Sequence, residues 1–543
     1  MPKIYLAQIN PNIGDLSYNF TLIKQHILAA QKQQADVVLF PELALCGFSP
    51  EDLLFNQEFL SACEGYLQKV TKLCEGITCI IGAPVLKENK LFNAAVCIVN
   101  KEIKGYHFKN RLSNQDVLNE SRYFSAHHQS FTIQVKGVNM AITLGEDIWE
   151  TAAEKSKPAS FFNQLKRDNI ELIVNLAACP FTVTNGEKRK HQLEGIAKDL
   201  KASVIFLNQV GANTDLIYQG QSLVFIKQGQ LTHQLASFKE DSLLVNLSGL
   251  ESRDNQHDLP STQNDLEILH QALVFGIREY FSKNNFKKAI IGLSGGLDSA
   301  LVAALVAEAL GGSNLHCVLM PSEYSSSHSI KDALDLVNNI HCSYDILAIN
   351  ELFDSFKDTL SGVFSGLQAD STEENIQARI RGVLLMAISN KKGYVLLNTS
   401  NKSEAAVGYG TLYGDMCGSL SVIGDVFKSQ AYDLAKYINR DKEIIPTHTI
   451  TKPPSAELRP DQLDADSLPD YNILDPVLKA FIEDNASIKE VVEKGYEKEV
   501  VEKIGKLLTG AEFKRKQSPP VLRVSEKSFG SGRRFALSGK RLF

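Results

Sequence analysis

The sequence predicts an α/β protein with two domains, an α/β sandwich followed by a doubly wound parallel sheet. A series of short apolar segments, with helical patterns between some of them, fills residues 1–246. A polar, uneven stretch follows at 247–266, and residues 267–543 then show strand–turn–helix units. We therefore expect one domain at 1–246, a linker at 247–266 and a second domain at 267–543.

The composition excludes several classes of protein. The 543 residues are 44% hydrophobic and 22% charged with a net charge of −6, so a nucleic-acid-binding surface is not expected. No apolar run approaches the ~18 residues that span a membrane, and the N-terminus MPKIYLAQIN lacks a signal pattern. The nine cysteines form no CxxC pair, which argues against a zinc site. We expect a soluble cytoplasmic protein without nucleic-acid or membrane partners.

The N-terminal domain is predicted from its strands. Its apolar segments are KIYLAQIN, ADVVLFPEL, ITCIIGAPV, NAAVCIVN, NMAITLGED, IELIVNLAA, SVIFLNQVG and SLVFIKQG. A helical pattern covers Tyr18 to Gln34, between the first two of them. Strands mixed with helices in this way are typical of a layered α/β domain.

The C-terminal domain begins with a different pattern. The helical segment DLEILHQALVFGIREYFSKN leads into the strand KKAIIGL, a glycine turn and the helix SALVAALVAEALG. Further strands are predicted at HCVLMPS, YDILAIN and YVLLNTS. Repeated strand–helix units favour a doubly wound parallel sheet, in which ligands bind at the carboxyl ends of the strands.

The strongest local motif is GLSGGLDSA, at residues 292–300. A strand ends there, SGG at 294–296 makes a turn, and a helix begins near Asp298. Exposed amides at a helix N-terminus bind anions, and the turn lacks the Lys-Ser/Thr ending of a Walker loop. An Asp inside a phosphate loop calls for a cation, so we expect Mg²⁺ at Asp298. The alternative interpretation is an ordinary glycine-rich turn.

This turn resembles the pyrophosphate loop of the N-type ATP pyrophosphatases, which adenylate a substrate. TEENIQARIRG at 372–382, LLNTSNKSE at 396–404, GYGTLYGDMCGSLSVIGDVFKSQ at 408–430 and KPPSAELRPDQLDADSLPDY at 452–471 together resemble NAD synthetases. The resemblance implies a ligase that joins ammonia to deamido-NAD and splits ATP into AMP and pyrophosphate.

The resemblance also implies site residues, with ATP and Mg²⁺ as cofactors. It implies ATP binding by Ser294, Gly295, Gly296, Asp298, Ser299, Thr399, Lys428 and Ser455, Mg²⁺ binding by Asp298 and Glu404, and deamido-NAD binding by Asn375, Arg379 and Asp415. Mg²⁺ and Lys suit this chemistry because the nicotinate carboxylate and ATP are both anions. A synthetase-domain homodimer, or a larger homo-oligomer, is implied as well.

The N-terminal strands resemble the nitrilase superfamily, whose members hydrolyse amides with a Glu-Lys-Cys triad. Glu42 follows the strand in VVLFPELALCGF, and Lys109 lies in YHFKNRL. NAD synthetases that use glutamine carry such a glutaminase domain. In that chemistry the Cys attacks the amide, the Glu transfers protons and the Lys stabilises the oxyanion. Glu120 is a weaker candidate for supporting the site.

The nucleophile position is occupied by Gly145, in AITLGEDIWE at 141–150, where the family pattern has Cys. Glycine cannot form a thioester, and losing a covalent nucleophile costs many orders of magnitude in rate. Gln115, Ala177 and Cys179 also differ from the family pattern around the amide pocket, and we interpret Cys179 as structural. Gly145 is either a natural loss or a deliberate substitution. Under either account we expect a chain that uses ammonia and hydrolyses glutamine very poorly.

Two other functions stay open at this point. The chain could be a regulatory protein in which both sites are silent, although the intact 294–299 turn, Glu404 and Lys428 argue against that. It could also be a tRNA-modifying pyrophosphatase, although the negative charge and ENIQARIRG disfavour it. Pyrophosphate release with deamido-NAD, and RNA binding at moderate salt, distinguish these alternatives.

Overall fold

A computed structural model describes residues 1–127, 131–149, 161–247, 263–460 and 462–538. The chain divides into two compact units, unit 1 at Met1–Gln263 and unit 2 at Asn264–Phe543. Most of the predicted linker, residues 248–262, lies outside the described residues.

Unit 1 contains two six-stranded sheets and a two-stranded sheet. The strands are β1 (Lys3–Gln8), β2 (Val37–Leu39), β3 (Thr78–Lys87), β4 (Lys90–Val99), β5 (Glu102–Phe108), β6 (Phe131–Val135), β7 (Val138–Leu144), β8 (Leu172–Ala177), β9 (Ser203–Asn208), β10 (Val210–Asn213), β11 (Leu216–Gln219), β12 (Leu223–Phe225), β13 (Leu231–Gln234) and β14 (Asp241–Asn246). The helices are α1 (Leu16–Lys32), α2 (Gln57–Leu73), α3 (Phe161–Arg167) and α4 (Asn185–Leu200). The sheet orders are β14-β1-β2-β3-β4-β5, β13-β12-β9-β8-β7-β6 and β10-β11.

The two large sheets of unit 1 pack face to face, with helices on their outer faces. In β1, Ile4 and Leu6 join an apolar core that includes side chains from both sheets. Tyr5 and Ala7 point to the opposite face and pack in the core that contains α1 and α2. Because successive side chains of a strand alternate between faces, a strand buried on both faces reads as a continuous apolar run. The predicted sandwich is confirmed.

The residues predicted to form the site of unit 1 follow the ends of four strands, β2, β5, β7 and β8. Glu42 follows β2, Lys109 follows β5, and Ala178 follows β8. After β7, a short 3₁₀ turn at Gly145–Ile148 continues the chain. β7 and β8 are parallel neighbours, so their carboxyl ends lie at the same edge of the sheet.

Unit 2 contains one five-stranded sheet and most of the helices. The strands are β15 (Ala289–Gly292), β16 (Leu315–Leu319), β17 (Ser343–Ile346), β18 (Val395–Asn398) and β19 (Leu420–Ser421). The helices are α5 (Asp265–Lys283), α6 (Leu297–Leu310), α7 (Ser327–Ile340), α8 (Asn350–Leu360), α9 (Ser371–Lys392), α10 (Lys402–Val407), α11 (Lys428–Ile438), α12 (Thr447–Thr451), α13 (Tyr471–Ile482), α14 (Ile488–Glu493), α15 (Lys498–Gly510) and α16 (Glu512–Arg515).

The sheet of unit 2 is parallel throughout, in the order β17-β16-β15-β18-β19. The chain runs outward from β15 to β17 and then returns to the other side of β15 with β18. The switch between β15 and β18 creates a crevice at the carboxyl ends of these strands, where ligands bind in such sheets. The predicted parallel sheet is confirmed. Among the described residues, no helix is long and apolar enough to cross a membrane.

Candidate active sites

The turn after β15 has the geometry of an anion-binding loop. The Ser294 hydroxyl lies 3.1 Å from the Ser299 hydroxyl and accepts a hydrogen bond from the Gly296 amide at 3.2 Å. Gly295 has a φ of +82°, and a Cβ there would lie 2.2 Å from the Ser329 carbonyl oxygen, so only glycine fits. Helix α6 begins directly after this turn, which directs its free amides toward the crevice.

Two carboxylates and one ammonium group meet beside this turn. Asp298 is the second residue of α6, Glu404 lies in α10, and Lys428 is the first residue of α11. Lys428 Nζ forms a short ion pair with Asp298 and lies 3.7 Å from Glu404 Oε1. The Asn401 side chain connects Asp298 to α10, because its Nδ2 donates to Asp298 Oδ1 at 3.2 Å and its Oδ1 accepts from the Glu404 backbone amide at 2.9 Å.

Burial strongly shifts the pKa values of the side chains in this cluster. Burial and then the charge of Asp298 raise the pKa of Glu404 to about 8. Burial lowers the pKa of Lys428, but the neighbouring carboxylates outweigh it and hold that pKa well above its usual value. Perturbed groups that share a crevice are typical of functional sites.

A cavity of about 310 Å³ contains this cluster and most of the predicted ATP-site residues. It is lined by Ser294, Gly296, Asp298, Ser299, Thr399, Glu404, Asp415, Lys428 and Ser455. The Ser455 hydroxyl donates to the Gln462 carbonyl and accepts from the Glu457 amide at 3.1 Å.

The three predicted deamido-NAD contacts converge on the loop at 411–415. Asn375 Oδ1 accepts from the Thr411 hydroxyl at 2.7 Å, and Arg379 Nε donates to the Leu412 carbonyl at 3.2 Å. Asp415 Oδ1 accepts from the Thr411 amide at 2.6 Å. Of these three predicted residues only Asp415 also lines the cavity, so Asn375 and Arg379 lie beside it.

The donor set fits Mg²⁺. Mg²⁺ in phosphate sites takes one or two carboxylates, keeps several waters and binds the substrate phosphates. Asp298 and Glu404 supply two carboxylates next to the anion-binding turn. Across the described ranges, no cluster of three or more His, Cys, Asp or Glu side chains is arranged to hold a metal by itself. The phosphates would therefore have to complete the coordination.

Several residues of this site were missed by the sequence analysis. Asp464 lines the cavity and accepts from the Tyr409 and Tyr471 hydroxyls at 3.2 and 3.0 Å. Arg381 lines it too, and burial lowers its pKa to about 10. Asn401 is fully buried. The Asn three residues before Glu404 was visible as a helix-cap signal, whereas nothing in the sequence indicated the tyrosine pair.

Unit 1 has a separate cluster, in which three carboxylates surround one lysine. Lys109 Nζ lies 2.8 Å from Glu42 Oε1, 2.8 Å from Glu120 Oε2 and 2.5 Å from Glu146 Oε2. Lys109 and Glu42 are each 1% exposed. Asn93 Nδ2 donates to Glu42 Oε1 at 2.7 Å, which fixes that carboxylate. Glu120, predicted as a weaker candidate, therefore contacts the lysine as closely as Glu42 does.

Ionisation in this cluster is set by burial. Burial raises the pKa of Glu42 to about 8 and raises the pKa of Glu120. Burial lowers the pKa of Lys109, but the three carboxylates outweigh it and hold that pKa well above its usual value. The lysine therefore stays charged, as an oxyanion-stabilising group must.

Gly145 lies against the ends of two of these side chains. A Cβ at this position would lie 2.8 Å from Glu42 Oε2 and 2.8 Å from Lys109 Nζ. Its φ of +44° falls in the left-handed region, which L-residues seldom adopt. The structure thus brings the three predicted triad positions together, and Gly145, at the predicted nucleophile position, carries no side chain.

Side-chain hydrogen bonds fix the backbone around Gly145 and Lys109. Asp147 Oδ1 accepts from the Asn110 and Arg111 amides, each at 2.8 Å, and its Oδ2 lies 2.7 Å from His107 Nε2. Asn175 Nδ2 donates to the Gly145 carbonyl at 3.1 Å. These bonds fix the loop after β5 against the turn after β7.

Cys179 lies on the strand end next to this cluster. Its amide donates to Asn208 Oδ1 at 3.0 Å, and the preceding Ala178 amide donates to Glu42 Oε2 at 3.2 Å. Burial raises the pKa of the Cys179 thiol to about 12, so it is not a thiolate at neutral pH. A protonated thiol is a poor nucleophile.

Comparison with known proteins identifies relatives of both units. A family model described as carbon-nitrogen hydrolase matches residues 3–250, and one described as NAD synthase matches residues 269–518. The chain is 42% identical to a glutamine-dependent NAD(+) synthetase of Synechocystis, over 99% of both chains, and 37% identical to one of Acinetobacter baylyi, over 98% of both. Its fold matches the solved structure of the glutamine-dependent NAD+ synthetase of Acinetobacter baumannii with a TM-score of 0.78 and 34% identity, covering 99% of this chain and 98% of that one.

Proposed function

The chain belongs to the glutamine-dependent NAD synthetases, ligases that use ATP, and from that premise we propose that its own nitrogen donor is free ammonia. Two observations support the proposal. The turn, carboxylates and lysine suited to ATP chemistry share one cavity in unit 2. In unit 1, the nucleophile position is a glycine.

We propose that unit 2 first activates deamido-NAD. The nicotinate carboxylate attacks the α-phosphorus of ATP, the bond to the bridging oxygen breaks, and pyrophosphate leaves. The amides after β15 and the Lys428 ammonium group would balance the charge that develops on the phosphates. Bound Mg²⁺, held by Asp298 and Glu404, would supply further charge neutralisation. Asp415, Asn375 and Arg379 would bind deamido-NAD.

In the second step, ammonia attacks the carbonyl carbon of the acyl-adenylate. AMP leaves, one proton is released, and the amide of NAD forms. Neutral ammonia needs no strong base, so a pocket that excludes water suffices. Two observations support such a pocket: the Lys428 side chain is 4% exposed, and burial raises the pKa of Glu404.

We propose that unit 1 hydrolyses glutamine very poorly. A glutaminase of this family needs a thiolate to form the acyl-enzyme, and Gly145 has none. The neighbouring Cys179 does not replace it, because burial keeps its thiol protonated. Glu42 and Lys109 can still transfer a proton and stabilise an oxyanion, but neither forms the covalent intermediate.

The test compares nitrogen donors in the full-length protein. We expect NAD formation from deamido-NAD and ATP to rise with ammonium and to show little response to glutamine. Glutamate release should stay low with and without ATP and deamido-NAD. Glutamate release as fast as NAD formation would overturn the proposal for unit 1. Absence of pyrophosphate release with deamido-NAD and ammonium would overturn it for unit 2.

We also propose that the chain forms a homodimer through unit 2, on the strength of its resemblance to NAD synthetases. Light scattering should then give about twice the chain mass of 60.0 kDa. A monomeric mass at micromolar concentration would contradict the proposal.

A further inference from the structure

Unit 2 contains a pair of neighbouring thiols outside the sites described above. Cys317 lies in β16, and Cys342 immediately precedes β17, the outermost strand of the sheet. Their sulfur atoms are 3.6 Å apart. Cys317 is buried, whereas Cys342 is half-buried and lies between two exposed residues, His341 and Ser343. A small oxidant in solution can therefore reach Cys342, while Cys317 stays shielded from solvent within contact distance of it.

We propose that Cys317 and Cys342 form a dithiol that hydroperoxides oxidise reversibly to a disulfide. The two sulfurs would have to approach from 3.6 Å to a bond length of about 2.05 Å. Cys342 lies in the turn between α7 and β17, where the backbone has more freedom than within the sheet. The strand β16 can then stay in place while the turn moves.

The oxidation begins at Cys342, because Cys342 is the more accessible of the two thiols. The Cys342 thiol loses its proton, the thiolate attacks one oxygen of hydrogen peroxide, and the O–O bond breaks. Cys342 becomes a sulfenic acid, and the hydroxide that leaves takes up the proton as water. The Cys317 sulfur then attacks the Cys342 sulfur, the S–O bond breaks, and a second water leaves with the Cys317 proton. The dithiol loses two electrons, and one peroxide becomes two waters. The hydrogen bond between the two thiols lowers the pKa of Cys342, which suits Cys342 to the first attack.

The experiment exposes the full-length protein to dilute hydrogen peroxide and maps its thiols by mass spectrometry without reduction. We expect a Cys317–Cys342 cross-link that dithiothreitol reverses. In Cys317→Ser, a dimedone adduct should accumulate on Cys342, because the sulfenic acid has no partner.

Cys417→Ser is the matched control, since Cys417 is half-buried and burial raises its pKa. This control should cross-link as the parent does. Dimedone labelling of Cys342 no faster than of Cys417, or peroxide oxidation without the cross-link, would overturn the proposal.

A second inference concerns Asn401 and rests on the proposed function of unit 2. Asn401 is fully buried and precedes α10. Its Oδ1 caps this helix at the Glu404 amide, while its Nδ2 donates to Asp298 Oδ1. Its own amide donates to Glu404 Oε2 at 3.4 Å. A single side chain therefore contacts α6 and α10 at once.

The geometry points to Asn401 as the positioning residue that sets the separation of the two carboxylates. Without its amide group, only Lys428 would pair with Asp298, and that carboxylate could turn away from Glu404. A hydrogen bond to a charged group contributes enough to change an equilibrium about tenfold. Asn401 would thus act on cation and phosphate binding without touching the substrate.

The decisive variant is Asn401→Ser, because serine still caps a helix but cannot reach Asp298. The readout is ATP binding by calorimetry with and without Mg²⁺. We expect the strengthening of ATP binding by Mg²⁺ to fall about tenfold, with little change in melting temperature. Asn401→Thr, also a capping residue, provides a second variant should the serine variant fail to fold. Asn264→Ser makes the same change at the cap of α5, where Asn264 Oδ1 accepts from the Glu267 amide at 2.8 Å, and should leave ATP binding unchanged.

The outcomes separate this inference from the proposed function. Variants that bind ATP and Mg²⁺ as the parent does would overturn the role of Asn401 alone. A parent whose ATP binding does not respond to Mg²⁺ would overturn the proposed metal site, and this inference with it.

Discussion

Replacing Gly145 by cysteine tests the proposal that unit 1 hydrolyses glutamine poorly because position 145 has no thiol. A Cβ at this position would lie 2.8 Å from Glu42 Oε2, 2.8 Å from Lys109 Nζ and 3.2 Å from Lys109 Cε. These atoms are the far ends of flexible side chains, so shifts of a few tenths of an ångström relieve the contacts. The φ of +44° adds a backbone cost of about 1–2 kcal/mol for any residue other than glycine. Gly145→Cys should therefore fold with a small loss of stability.

We expect Gly145→Cys to gain much glutaminase activity for this small loss of stability. Removing the nucleophile from a catalytic triad costs up to about 10⁶-fold in kcat. Ala177 and Cys179 are predicted to differ from the family pattern, so we expect the new thiol to restore only part of this rate. Gly145→Cys should release glutamate at least about 100-fold faster than the parent. The assay is glutamate release in the presence of ATP and deamido-NAD.

Gly145→Ala is the matched control. It carries the same Cβ contacts and the same backbone strain but has no sulfur, so it should gain nothing. If Gly145→Cys is folded, judged by its melting temperature, yet releases no more glutamate than Gly145→Ala, the reasoning is refuted. The altered pocket residues, and not the missing thiol, would then limit unit 1.

Three further predictions concern buried charges. Lys428→Met should lower the rate of NAD formation about 10²–10³-fold, whereas Lys436→Met, at an exposed position of the same helix, should leave it unchanged in the same assay. Because burial raises the pKa of Glu42 from 4.5 to about 8, the folded chain binds more protons than the unfolded chain between these values, and its free energy of unfolding falls as pH rises through this window. Glu42→Gln should therefore flatten the decline of melting temperature from pH 5 to pH 8; an unchanged slope would contradict this assignment. Lys402→Met should cost about 3–5 kcal/mol in urea unfolding, because it leaves buried carboxylates unpaired, while Lys489→Met at an exposed ion pair should cost almost nothing.

Much of the fold can be predicted from the sequence because each strand corresponds to a short local pattern of residues. A strand buried on both faces is a short apolar run, and β1, β2 and β15 were each visible as one. Functional groups placed directly after such strands could be found by position. Glu42 and Lys109 follow strand ends of unit 1, so their convergence within that unit could be expected. In unit 2, the turn at 294–296 follows the end of β15 in the same way.

The remaining contacts depend on residues far apart in the chain. Asn401 reaches Asp298 across 103 residues, and Lys428 reaches it across 130. No periodic pattern carries this information, because the pairing depends on how helices pack around a sheet. Glu146 illustrates the same limit in unit 1. Its place beside Lys109 follows from the direction of the turn after β7, which the sequence pattern does not specify.

The charged cluster of unit 1 also gives Lys109 a role in stability that does not depend on a nucleophile at position 145. Lys109 is 1% exposed and is the shared partner of three carboxylates, so removing Lys109 would leave these carboxylates without a counter-charge. Such a loss typically costs about 3–5 kcal/mol, a large fraction of the stability of one domain. Deleting a side chain at position 145 removes no charge and relieves a crowded contact. The presence of Lys109 is thus accounted for by stability, and by itself it gives no support to glutamine hydrolysis by this chain.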